Sequence, residues 1–151
     1  MQSPHARKSS VTKKPLTSSV LFPELSKRFI ENPSAVGSLT GLFIFSILVD
    51  GKIVDEWSLL FSGQNRPPSV SHQAVPALSK KAVSAPIVVL ELEDRNLIKF
   101  ITGSLTGIKG VTTGKIKVAG DIDLALKLER AFVKAGGIDQ TLEFLRNKSR
   151  L

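Results

Sequence analysis

At 151 residues with a formal net charge of +8 and 42% hydrophobic residues, the chain suits one domain with a real core. It contains no cysteine, which excludes disulfides, thiol catalysis and thiolate metal sites. No run of about eighteen apolar residues exists to cross a bilayer as a helix, and the mean hydropathy of +0.10 fits a soluble globular chain.

The charge is unevenly spread. Residues 1–20 hold Arg7, Lys8, Lys13 and Lys14 with no acid, which leaves only +4 on the rest. This stretch reads as a flexible basic arm rich in Ser, Thr and Pro. A transit peptide is the alternative, since such segments are basic, serine-rich and acid-poor. The folded domain is assigned to 21–148.

Pro23 stands at a first helical position and opens ELSKRFIENP, where Leu25, Phe29 and Ile30 share a side and Pro33 sets the limit. Leu42 to Val49 and Ile53 to Phe61 flank Asp50-Gly51, a strong two-residue hairpin signal. A two-residue turn places Ile44 opposite Trp57 and Leu48 opposite Ile53. Phe43, Phe45 and Ile47 then occupy the other face, so both faces need cover. Residues 64–86 carry Pro67, Pro68, Pro76 and Pro86, with Arg66, Lys80, Lys81 and no acid. They read as an irregular proline-rich loop, a tolerated surface insertion ahead of a lid.

Ile87 to Glu93 forms a central strand with Val88, Leu90 and Leu92 on one face. Asp94 caps a helix to Thr102 that groups Leu97, Ile98 and Ile101 beside Phe100, and Gly103 closes it. Leu105 and Ile108 lie in a short glycine-punctuated element. Ile116 and Val118 alternate with Lys115 and Lys117 in a half-buried strand that Gly120 ends. Asp121 is the N-cap of the next helix, Asp123 lies in its first turn, Lys134 in its last, and Gly136-Gly137 stop it. In that helix Leu124, Leu128, Ala131, Phe132 and Ala135 make one stripe. Ile122, Ala125, Leu126 and Val133 widen it beyond what a surface helix needs. A further helix is read from Ile138 to about Arg146.

Gly114, Lys115, Ile116, Lys117, Val118, Gly120 and Asp121, followed by Leu124, Ala125, Lys127 and Leu128, resemble the closing strand and helix of the sterol carrier protein 2 family. Glu93 to Leu97 and Thr102-Gly103 are similar to that family's acidic helix start and Thr-Gly close, and Leu42 to Phe61 look like its first hairpin. The resemblance runs from roughly Pro23 to Ala135, with Val70 matching a short third strand. It implies an α+β fold with a five-stranded mixed or mainly antiparallel sheet and helices on one face enclosing an apolar tunnel. The implied tunnel lining is Leu97, Phe100, Ile101, Leu105, Ile108, Ile116, Val118, Leu124, Leu128 and Phe132. Burial of about fifteen methylenes would give roughly 12 kcal/mol gross, against association and ordering costs of comparable size. Shape would then select the ligand more than hydrogen bonding, so acyl chains, acyl-CoA and sterols all fit.

Ser149-Arg150-Leu151 is a conservative variant of the Ser-Lys-Leu peroxisomal signal, with Arg146 and Lys148 upstream. It points to the peroxisomal matrix and to an import receptor as partner, with cytoplasm or mitochondrion as alternatives. Basic residues, Lys115 and Lys117 among them, suit transient contact with an anionic membrane surface.

Parts for catalysis are few. His5 lies in the arm and His72 in the proline-rich loop, away from any rigid nucleophile. Asp121 and Asp123 serve the helix terminus more economically than acid/base chemistry. There is no phosphate loop or dinucleotide fingerprint, and no metal or cofactor is expected. Gly107-Ile-Lys-Gly110 matches the short loop of KH-type RNA-binding domains, but Val111 to Gly120 supplies a strand where that domain needs a helix. The expected function is non-enzymatic lipid binding and transfer without a nucleic-acid partner. A cargo-free scaffold for peroxisomal oxidation enzymes is the rival, and an RNA-binding protein a distant third.

Overall fold

The computed structural model describes residues 16–72 and 86–136. The residue 1–15 part of the arm, residues 73–85 of the loop, the 138–146 helix and the terminal tripeptide lie outside the described residues.

Alternation of large apolar side chains sets up one five-stranded sheet. Its strands are β1 (Thr40–Val49), β2 (Lys52–Ser62), β3 (Ser69–His72), β4 (Ile87–Glu93) and β5 (Ile116–Ala119). The order is β3-β2-β1-β4-β5. β1 runs parallel to β4 and every other neighbouring pair is antiparallel, so the sheet is mixed as expected.

The hairpin turn is where the sequence places it. Asp50 and Gly51 both take positive φ, 52° and 82°, the backbone a two-residue turn needs to match strand twist. The Glu93 carboxylate pins this turn, accepting from the amides of Asp50 at 3.0 Å and Gly51 at 2.8 Å. Leu48 pairs with Ile53, but the expected pairing of Ile44 with Trp57 is wrong. A bulge leaves Val54 over, because Ile47 pairs with Asp55. Trp57 therefore faces Phe45, and Ser58 faces Ile44. The extra residue has a clear consequence: it turns Trp57, Leu59 and Phe61 to the same side as Phe43, Phe45 and Ile47. An unbulged strand would send Glu56, Ser58 and Leu60 there instead. On the opposite face Leu42 and Ile44 are also buried, in line with the need for cover on both sides.

Four α-helices and a short 3-10 segment, Pro33–Ala35, complete the described chain: α1 (Thr17–Glu31), α2 (Asp94–Thr102), α3 (Gly107–Thr112) and α4 (Ile122–Gly136). α1 begins six residues before Pro23, which sits exposed inside it, so Thr17 to Val20 belong to the helix and not to the arm. Leu16 offers no side-chain cap. The cap comes from 77 residues away, where the Asp94 carboxylate accepts from the amides of Thr17 at 2.7 Å and Ser18 at 3.0 Å. Two charge-assisted bonds to otherwise unpaired helix donors stabilise by roughly 1.5–3 kcal/mol each. Asp94 was expected to cap its own helix; Glu93 holds that position, and Asp94 links two helix N-termini. Gly103 ends α2 in the left-handed region, φ 89°, as read.

Two further expectations are corrected. Part of the proline-rich loop is regular, since Ser69–His72 pair with β2 and set Val70 opposite Leu59. The strand expected from Val111 starts at Ile116, because α3 continues through Thr112.

The core lies between the sheet and the helices. Phe22 of α1 packs edge-on to Phe45 and flat on Trp57, both at 5.1 Å between ring centroids. Trp57 also stacks on His72 at 4.3 Å, and His72 Nε2 meets Asp55 Oδ1. His72 is thus fixed on a strand rather than loose in a loop. Phe132 of α4 centres the cluster, with Phe29, Phe45 and Phe100 at 6.3, 6.3 and 6.0 Å.

Candidate functional site

The site forms where α3 is forced close to the sheet. After Gly103 the chain turns at Thr106, whose Oγ1 accepts from the Lys109 amide at 3.2 Å and caps α3. The Gly107 amide donates to Glu129 Oε2 at 3.0 Å, tying the start of α3 to α4. Gly110 then faces β5 so closely that a Cβ there would lie 2.4 Å from Ile116 Cδ1. A side chain at this point would lift α3 from the strand.

These contacts leave an apolar cavity of about 200 Å³ between α3, β5 and α4. Leu90 and Phe100 line it from the core side, and Ile116 and Val118 contribute from β5. Val111 of α3 and Ala125 of α4 flank it, while Ile108 and Ile122 are 62% and 47% exposed. Among the described residues the Thr112 hydroxyl is the sole polar side-chain group in the lining. It bonds the carbonyls of Ile108 and Lys109 at 3.0 and 3.2 Å. The wall therefore offers dispersion and hydrophobic contact, with no side-chain donor left over to orient a polar ligand. Its volume falls below the roughly 300–1,000 Å³ of pockets that enclose a drug-sized ligand. Ligands longer than a short apolar segment must project from it or widen it.

Of the ten residues expected to line a tunnel, Phe100, Ile108, Ile116 and Val118 meet at this cavity. Leu97, Ile101, Leu105, Leu128 and Phe132 belong to the buried hydrophobic core and do not line this cavity, each being at most 6% exposed. Leu124 borders a different cleft on the other flank of α4. Of the four residues that widened the helix stripe, Ile122, Ala125 and Leu126 are the ones α4 gives to the cavity, while Val133 is exposed and borders a separate cleft. Their signal was that excess width. Val111 and Thr112 carry no such signal, since the sequence reads as strand from Val111 onward whereas the structure keeps both in α3.

Residues 23–133 match the SCP-2 sterol transfer family, and the chain belongs to that family. A comparison with curated protein sequences finds no match. Solved structures share the fold. Sterol carrier protein-2 like-3 from Aedes aegypti superposes with a TM-score of 0.62 at 16% identity, over 78% of this chain and 98% of that one. The sterol carrier protein domain 2 of Helicoverpa armigera gives 0.61 at 18% identity, over 82% and 92%. The Aedes aegypti sterol carrier protein-2 complex with the C16 fatty acid palmitate gives 0.59 at 20% identity, over 81% and 99%.

Proposed function

We propose that the protein binds and transfers lipids without catalysing a reaction on them, holding an apolar portion of a fatty acid, fatty acyl-CoA or sterol between α3, β5 and α4. The observation that carries this reading is the apolar cavity with exposed Ile108 and Ile122 in its wall. Membership of a sterol transfer family and the palmitate complex of a protein with the same fold support it. With no side-chain donor to spare in the wall, ligands are selected by chain shape, and discrimination among head groups is loose. Lys115 and Lys117, both exposed on or beside β5, suit transient docking on anionic membranes.

Transfer of a fluorescent fatty acid between vesicles tests this. The rate should rise in proportion to protein, and more steeply with anionic than neutral acceptors at low salt. No acceleration at any protein concentration sinks the transfer reading. Equal rates to both acceptors remove the docking part alone.

The small cavity and the core placement of Leu128 and Phe132 favour one rival, a cargo-free interaction module on the same fold. Ser149-Arg150-Leu151 supports work in the peroxisome under either reading. Expression in cells without these three residues should shift the protein to the cytoplasm; unchanged peroxisomal location would refute that address.

A further inference from the structure

On the flank of α4 away from the apolar cavity lies a cleft of about 340 Å³ with opposite chemistry. Lys127, Arg130 and Lys134 border it at the spacing that groups side chains along one side of a helix. No acid lines it. Among the described residues none of the three cations pairs with a carboxylate, the recorded pairs being Glu24 with Arg28 and Asp55 with His72.

The facing wall is the turn after the short 3-10 segment Pro33–Ala35. Val36 is right-handed helical, φ −72° and ψ −43°, and Gly37 follows with φ +57°. Consecutive residues of opposite hand turn successive amides toward one side, an arrangement that holds anions. The Val36 amide is occupied by Pro33 O at 3.0 Å. Those of Gly37 and Ser38 bond no group among the described residues. Asn32 clamps turn to helix, its Nδ2 donating to Lys134 O at 2.9 Å while its Oδ1 accepts from the Ser34 hydroxyl at 2.8 Å. The cleft is preformed.

We propose that this cleft is a second ligand site that takes a phosphate group. Three cations and two open amides exceed what the two oxygens of a singly charged carboxylate satisfy, whereas a phosphate ester offers more acceptors and up to two charges. Among the described residues the cleft lining has no aromatic ring for base stacking, which disfavours a nucleic-acid strand. On α4, Lys127 points about 160° round the helix from Ala125 of the cavity. Phosphate held by Lys127 lies on another side of α4 from Ala125, about 100° round from Leu126, and the two sites are expected to fill independently.

The test follows backbone amides of the full chain by NMR during titration with inorganic phosphate and glycerol 3-phosphate. A second arm measures binding to phosphatidylglycerol and phosphatidylcholine vesicles. Signals of Gly37, Ser38 and residues 127–134 should move, and palmitate should not change the affinity. Neutralisation as Lys127→Gln with Arg130→Gln should weaken binding by about five-fold per charge, while Lys127→Arg retains it. Residue-dependent binding of the soluble esters assigns a soluble ligand; the same dependence seen only with phosphatidylglycerol assigns a lipid head group. Shifts scattered over other basic residues, absence of binding in both arms, or full binding by the neutralised variant with native amide dispersion would overturn the proposal.

Discussion

Replacing Phe132 with alanine is expected to cost about 3–5 kcal/mol of folding stability, the range for deleting a buried aromatic ring. The ring is 2% exposed and reaches Phe29 of α1, Phe45 of β1 and Phe100 of α2. Its loss removes a ring that meets α1, α2 and the sheet at once. Collapse around the void is limited, because two of those partners, Phe29 and Phe45, are themselves held by Phe61 and Phe22. Against a total stability of about 5–15 kcal/mol for a domain, this is a severe lesion. Chemical denaturation of wild type and variant measures it. A loss below about 1 kcal/mol, together with weakened lipid binding, would return Phe132 to the ligand-facing wall expected from its helix stripe.

The contrast between the stripe and its margin shows what the sequence could express. Alternation in Ile87 to Glu93, the Asp50-Gly51 turn and the Asp121 and Gly103 helix ends were all legible, because each depends on neighbours in the chain. Asp121 Oδ1 does accept from the amides of Asp123 and Leu124, at 2.8 and 3.4 Å. The start of α1 was not legible, since its cap is the distant Asp94. The bulge at Val54 was hidden too. Nothing local marks it, and only the requirement that Trp57 join Phe45 under the helices places it there.

The same division runs through the candidate site. Apolar excess in α4 announced that something beyond a plain core was present, and periodicity could not say which leucines served which purpose. The strongest positions in the stripe, Leu128 and Phe132, satisfy the core. Those left at its edge make the cavity. What opens the space is the approach of α3 to β5 through Gly110, a residue that in sequence resembled part of a short nucleic-acid loop.

Replacing Val111 with phenylalanine is expected to abolish most lipid binding while sparing the fold. Val111 is half-buried in the cavity wall, so a larger ring can turn into the space without displacing core side chains. If the ring excludes three or four methylenes of an acyl chain, each worth about 0.8 kcal/mol, the loss is about 2.5–3 kcal/mol, or roughly a hundred-fold in affinity. Thermal melting should change little, since no buried contact is removed and the cavity becomes better filled. Palmitate titration of Val111→Phe beside wild type is the most direct measurement of whether this cavity is where lipid sits. An affinity lower by one to two orders of magnitude with an unchanged melting temperature is the expected result. Equal palmitate affinity in the two proteins would contradict the assignment.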